Sequence, residues 1–390
     1  MTTPAAPAQG PGRRRLDSAR IGQIRTAIVL PLIALVLALV IGSVFVYAAA
    51  WLKDGKILLS QPLLAYGALL SGSLLSYDAI VTTLTFTAPL VFGGLAVALG
   101  FKGGLFNIGV LGQLLMGVLA SVAVGVALAG APTIVAAPLA FLAGTLAGAV
   151  MGFIPGYLKA ATGAHEVVTT IMLNYIGADI LAAFVAGPLR VPRAPAPITY
   201  DVGHAALPIF LPKTGHVGII IAVVAVVVVW WLLYRTTLGF EIRTAGINPD
   251  AARYAGMRPG RIIPLTMAMS GALAGMAGAG ELLGVVHKTQ TSYATNVGFD
   301  AIAVALLARS NPIAILPAAL LFGAMRAGAG PMQVIATTPR ELVDVLQGVI
   351  LIVLVAVPVI ARTFGGRGGD VIPAEAITIT ATYGGDKVAS

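Results

Sequence analysis

Long apolar runs alternate along this chain with short polar stretches, and the apolar runs define its elements. A membrane-crossing helix needs about 20 apolar residues in succession. Runs that reach or approach this length cover 26–50 (closed by Trp51), 79–100, 105–130, 133–158, 166–187, 217–234, 262–286, 295–308, 312–326 and 341–361. The pattern predicts an all-α polytopic membrane protein of about ten transmembrane spans, some short or broken. Lys102 and Lys159 follow the second and fourth runs, Arg235 the sixth, and Arg362 and Arg367 the last. With basic residues biased to the inner side, both termini fall in the cytoplasm.

The remaining stretches fit around these spans. Runs 295–308 and 312–326 are short enough to be half-helices, and 61–75 reads as an outer interfacial helix. Residues 1–25 are Pro/Ala/Gly-rich and then basic, and 363–390 are Gly/Thr-rich. Both predict disordered cytoplasmic tails around a membrane domain at 26–362. Ala48-Ala49-Ala50 resembles a signal-peptide cleavage site, but the apolar core before it is too long for that reading.

Composition narrows the class. Of 390 residues 58% are hydrophobic and 10% charged, with mean hydropathy +0.95, whereas a soluble domain carries about 25% charged residues. The net charge of +9 belongs mostly to inner loops and is no nucleic-acid footprint, so no nucleic-acid partner is expected. Cysteine is absent, which excludes a disulfide framework and a thiolate metal site. The 47 glycines predict tightly packed or interrupted helices.

The longest polar interruption between unambiguous spans, 235–261, carries Arg235, Arg243, Arg253, Arg258 and Arg261. Its middle predicts a short helix. Asn248 stands at the N-cap, Pro249 at the first helical position and Asp250 in the first turn, with Ala251, Ala252, Arg253 and Tyr254 following. Gly256 is placed to end it in the left-handed conformation. A helix of this kind on an inner loop is a surface for another protein; a solvated loop that only sets topology is the alternative.

Two kinds of polar or glycine-rich feature interrupt the spans. Gly144, Gly148, Gly152 and Gly156 recur at i,i+4 and bare one helix face for a close neighbour; Gly271 with Gly275, then Gly280 with Gly284, repeat the device. The stretch 100–116, GFKGGLFNIGVLGQLLM, sets five glycines around Asn107 and Gln113. Either it breaks, exposing backbone to a polar neutral ligand, or it folds as a tight hairpin whose amides pair between helices. In 163–175, GAHEVVTTIMLNY, His165-Glu166 lacks the second histidine of a zinc-protease motif, because position 169 is Thr. No metal and no cofactor are expected. His165, Glu166 and Thr169 would mark a gate or a partner contact at the inner end, while Asn174 lies deeper as pathway lining or interhelical glue.

The energy source is constrained as well. Gly55-Lys56 is followed by Ile and lacks the earlier glycine of a P-loop, so ATP hydrolysis is expected on another subunit and no catalytic residue is assigned. Asp78, Asp179, Glu281 and Asp300 fall toward outer span ends with no basic partner evident, unlike the midplane pairs of proton-coupled carriers.

FNIGVLGQLLMG at 106–117, GAHEVVTTIMLNYI at 163–176, AGINPDAARYAGM at 245–257 and GFDAIAVALLARSNP at 298–312 together resemble permease subunits of bacterial ABC importers. The likeness is to the branched-chain amino acid and simple-sugar permease family, in the branch importing nucleosides with a basic-membrane-protein-type lipoprotein. It covers 26–362 and fits the larger of two paired permeases. Val110-Leu111 departs from the pattern, which has small or acidic residues between its glycines.

The resemblance implies a bacterial plasma-membrane protein with several partners. An ATP-binding subunit with two P-loops would grip 248–256, with Arg243, Arg253 and Tyr254 at the contact. A second permease would complete a heterodimer. A substrate-binding lipoprotein would dock outside, with the Pro-rich 188–216 segment and its Arg190, Arg193 and Lys213 as the candidate site. Phe106, Asn107, Gln113 and Asn174 would line the substrate pathway. A permease for a pentose or another neutral solute is the alternative, and an ion-coupled carrier the more distant one.

Overall fold

The computed structural model describes residues 36–52, 59–293 and 295–364. The first ten residues of the first apolar run and both expected tails, apart from 363–364, lie outside the described residues. Two compact units emerge. One holds helix α1 (Val36–Leu52) and helix α13 (Glu341–Phe364), the other Leu63–Arg340.

The larger unit is helical almost throughout. Its elements are α2 (Gln61–Ser73, whose first two residues fall in the other unit), α3 (Tyr77–Lys102), α4 (Val110–Ala127), α5 (Thr133–Thr162), α6 (Glu166–Ala186), α7 (Gly218–Arg235), α8 (Thr237–Ile247), α9 (Pro249–Tyr254), α10 (Pro259–Glu281), α11 (Val297–Leu307) and α12 (Pro312–Ile335). A π-helical turn, Leu282–Val286, continues α10. Seven described helices, α3 to α7, α10 with its π turn, and α12, are long and apolar enough to cross a membrane. The chain is thus a helical polytopic membrane protein.

Helix α3 is the central post, buried along almost its whole length from Ala79 to Gly100 and ringed by α7, α10, α11 and α12. Helix α10 packs along α5 with backbones nearly touching. A Cβ at Gly148 would strike the Gly271 carbonyl, one at Gly152 the Met267 carbonyl, and one at Gly156 would sit 2.8 Å from the Pro264 Cα. Gly144 faces Ser121 and the Gly117 carbonyl of α4. Gly280 and Gly284 stand apart from this seam: Gly280 sees only the distant rings of Phe92 and Phe141, and Gly284 backs onto His216. Such close approach supplies dispersion contacts where lipid gives helices no hydrophobic reason to associate.

Several expectations change. Helix α12 runs on to Ile335 rather than stopping at 326, because the Arg326 guanidinium is paired inside the bundle with Asp300 (Nη2 to Oδ2, 2.6 Å). Asp300 therefore does have a basic partner. Helix α11 is short, at 11 residues, whereas α12 has 24 and is no half-helix. The 105–130 run begins its helix only at Val110. Helix α2 packs on α12 through Gly72 against Pro331 and Gly328 against the Leu69 carbonyl.

The fold also departs from purely α in the Pro-rich segment. There β1 (Ile209–Leu211) and β2 (Gly215–His216) form an antiparallel hairpin after a 3₁₀ turn at Gly203–Ala205. The segment is sewn to the end of α10. Thr199 N donates to the Thr289 carbonyl (3.0 Å), Val202 N to that of His287 (2.9 Å), and Leu207 N to that of Leu283 (2.8 Å).

Candidate functional site

The interrupted stretch between α3 and α4 organises the interior. Gly103 and Gly104 turn the chain out of α3, and Gly104 adopts φ +68°, a conformation that disfavours any side chain. Residues 105–108 then run without helix, and α4 begins after Gly109. Asn107 holds this strand of backbone in place. Its Oδ1 accepts from Gly109 N (3.0 Å) in an Asx turn and from Gln113 Nε2 (3.1 Å). Its Nδ2 donates to Gln113 Oε1 (2.9 Å) and to Ser270 Oγ (2.8 Å), and Ser270 donates onward to the Ala96 carbonyl (2.6 Å).

Asn174 of α6 completes the clamp. Its Oδ1 accepts from Gly112 N (2.7 Å) and its Nδ2 donates to the Ile108 carbonyl (3.0 Å). The structure thus gathers Asn107, Gln113 and Asn174 around one irregular segment, all buried, with their amides engaged by the chain itself. All but the part-buried Asn174–Ile108 bond form where water is excluded, so each unmade partner among them would cost about 1–3 kcal/mol. Phe106, half-buried, stacks on Phe101 at 5.2 Å between ring centroids and 19° between planes. Residue reasoning missed Ser270; its one signal is a lone hydroxyl in the small-residue run of α10.

The 235–261 loop folds as two helices at the end of the bundle that also carries Lys102 and Lys159. Thr236 caps α8 by accepting from Gly239 N (3.1 Å). Asn248 Oδ1 caps α9 by accepting from Asp250 N and Ala251 N (both 3.0 Å), and Pro249 fills the first helical position. Ala252 N donates to the Asn248 carbonyl (3.0 Å), and Gly256 leaves the helix at φ +83°. One face of α9 is anchored and the other free: Ala252 is fully buried, while Tyr254 is 94% exposed and the exposed Arg253 pairs only loosely with Asp250 (3.2 Å). Arg243 instead lies over the Tyr234 ring (5.1 Å to the centroid) with its Nε on the Gly239 carbonyl (3.4 Å). Its guanidinium is thus engaged by α7 and α8, on a different helix from Arg253 and Tyr254.

Helix α8 sits on the turn that starts the irregular segment. Gly246 meets the Lys102 carbonyl and the Gly103–Gly104 backbone, and Ile242 is buried beside Gly103. At the same end Glu166 is buried and bonded to Lys159 Nζ (2.6 Å). His165 is exposed at the N-cap of α6, and Thr169 Oγ1 turns back to the Glu166 carbonyl (3.0 Å). Among the described residues no group of three or more acidic, histidine or cysteine side chains converges to hold a metal ion.

At the opposite end, β2 carries His216, whose ring is enclosed by Gly218 and Gly284. Its Nδ1 accepts from Gly218 N (3.1 Å), and burial, with the His287 charge as a smaller cause, lowers its pKa to about 4. Lys213 pairs with Asp78 on the surface, and Arg190 and Arg193 are exposed.

Comparison with known proteins adds to this geometry. Residues 79–355 match the family described as branched-chain amino acid transport system / permease component. The guanosine ABC transporter permease protein NupP of Bacillus subtilis is 36% identical over 330 residues, which is 83% of this chain and 92% of that protein. The nucleoside ABC transporter permease protein NupB of Lactococcus lactis is 35% identical over 338 residues, 83% of this chain and 89% of that protein. The glucose ABC transporter permease protein TsgB13 of Haloferax volcanii is 32% identical over 367 residues, 89% of this chain and 93% of that protein. In each of these organisms a second permease also matches, over 61–63% of this chain. No solved structure matches. With most of its length inside that match, and with its helical membrane architecture, the chain belongs to the branched-chain amino acid transport system permease component family.

Proposed function

We propose that this chain is one permease subunit of an ATP-driven importer of nucleosides in the bacterial plasma membrane. The observation that carries the reading is its likeness to two permeases named for guanosine and nucleosides along nearly their whole length. The glucose permease, somewhat less similar, supports a sugar importer as the second reading.

The bundle crosses the membrane about ten times with both tails inside. The end carrying Lys102, Lys159 and the α8–α9 loop faces the cytosol. ATP hydrolysis belongs to a separate subunit with two P-loops. That subunit grips the free face of α9 at Arg253 and Tyr254, while Asn248, Pro249, Asp250, Ala252 and Gly256 keep the helix formed. The second permease match in each related organism supports a heterodimer, and a substrate-binding lipoprotein delivers solute to the hairpin end near Arg190 and Arg193.

The contacts suggest how work is transmitted. When nucleotide closes the ATPase, α9 is displaced and carries α8 with it. Gly246 of α8 bears directly on the Gly103–Gly104 backbone, with no side chain between to absorb the shift. The irregular segment 105–109 moves in turn, and its amide clamp ties it to α6 and α10. Asn107, Gln113 and Asn174 in this reading shape the pathway wall from behind, and Phe106 shares that segment. His165 and Thr169 border the cytosolic mouth beside the Lys159–Glu166 pair.

The test is ATP hydrolysis by the purified assembly with its lipoprotein present. Guanosine, adenosine or uridine is expected to stimulate turnover severalfold while ribose and glucose do not. Stimulation by a sugar with none by any nucleoside would overturn the choice of substrate.

A further inference from the structure

Helix α6 has a buried face and an exposed, mostly apolar face that carries one carboxylate. Thr170, Asn174, Gly177 and Leu181 are buried against the bundle. Half a turn away, Met172, Tyr175, Ile176 and Asp179 are exposed. At 1.5 Å per residue Asp179 lies about 20 Å along a helix about 30 Å long, and Tyr175 near its middle. A carboxylate at that depth is costly against hydrocarbon and faces a polar surface instead. The exposed face of α7 behaves differently, presenting Val223, Val224, Val227 and Val228, a surface fit for lipid.

Neighbouring elements extend the α6 face. In the first turn of α4, Gly112 packs on the Leu173–Asn174 backbone of α6, and the adjacent Leu111 packs on Gly298 of α11. Each of these contacts is followed by an exposed ring: Tyr175, 67% exposed, on α6 and Phe299, 57% exposed, on α11. An exposed aromatic residue thus follows each contact that the first turn of α4 makes with α6 and α11, and a carboxylate stands one helical turn beyond Tyr175.

Resting on the nucleoside reading above, we infer that Tyr175, Phe299 and Asp179 form this subunit's solute-contacting wall. The rings offer flat apolar faces for a base, and the carboxylate accepts hydrogen bonds from ribose hydroxyls. Asn174, one residue from Tyr175, points the other way and braces the wall. Solute contact thus shifts by one residue from the amide pattern, onto the opposite side of α6.

The chain has no cysteine, which allows single-cysteine variants without other changes. Tyr175→Cys, Asp179→Cys, Phe299→Cys and the lipid-face control Val224→Cys would each be assembled with the ATPase, the second permease and the lipoprotein. A charged, membrane-impermeant thiosulfonate is then applied, and modification is read as a mass shift of this chain. The first three are expected to react at least tenfold faster than the control, lose uptake on reaction, and be protected by guanosine.

Reaction of all three no faster than Val224→Cys, in assemblies that still transport, overturns the wall. Fast reaction protected by a sugar but not by any nucleoside keeps the wall and removes the nucleoside reading. As a second variant, Asp179→Asn is expected to lower uptake at least tenfold with unchanged co-purification of the partners. Unchanged uptake removes the carboxylate from the wall.

Discussion

A single amide shows how much one buried residue can decide in this protein. Asn107 satisfies both of its donors and accepts twice, joining α3, α4, α10 and the irregular segment at one point. Asn107→Ala would leave Gln113, Ser270 and Gly109 N short of partners in a dry site. The expected loss is about 1–3 kcal/mol, read as a lower melting temperature of the purified assembly, together with reduced uptake. A melting temperature equal to that of the parent would mean that the clamp contributes nothing.

His216 makes the pH-dependent prediction. Its folded pKa, about 4, lies below the ordinary 6.5 because the ring is buried and His287 adds charge nearby. The unfolded chain therefore binds more protons than the folded one between these values. Stability is complete above pH 6.5 and falls as pH drops toward 4, by on the order of 3 kcal/mol in total. His216→Gln should flatten that slope in a pH series of thermal melts; an unchanged slope assigns the acid sensitivity elsewhere.

At the scale of elements, α9 is the part most sensitive to one backbone change. Proline at position 252 removes the N–H bonded to the Asn248 carbonyl and clashes with the preceding turn, costing about 3 kcal/mol in so short a helix. Because α9 hangs on the bundle by Ala252 alone among its buried side chains, the bundle itself should survive. Ala252→Pro is expected to insert and co-purify with the second permease yet lose nearly all uptake. Wild-type uptake would deny α9 its coupling role. The α5–α10 seam is the opposite kind of element, two backbones in contact that leave no room for any side chain at Gly148 or Gly271.

For the whole molecule the question is which end faces the cytosol. The α8–α9 end collects Lys102, Lys159, Arg235, Arg243, Arg253, Arg258 and Arg261, whereas the hairpin end carries Arg190, Arg193 and Lys213 beside Asp78 and Asp201. An excess of lysine and arginine inside orients such bundles. Arg253→Cys is therefore expected to react with an impermeant maleimide only after cells are opened. Labelling in intact cells would invert the bundle and remove the ATPase from α9.

What could be read from residues alone was whatever depends on local spacing. Apolar run length specified the helices, since a backbone in lipid must satisfy its own hydrogen bonds and a helix is the one open-ended way to do so. Asn248, Pro249 and Gly256 specified α9, because caps act within one turn. Contacts between distant segments followed no such rule. Arg326 reads as a helix end until Asp300, 26 positions away, is brought to it. Asn107, Gln113 and Asn174 are recognisable as unusual amides in an apolar setting, but a side chain's direction is set by what packs around it. Only the folded bundle turned those amides inward and left Tyr175, Asp179 and Phe299 facing out, because the glycines at 112 and 298 let three helices close to backbone distance and fixed which side of each remained free.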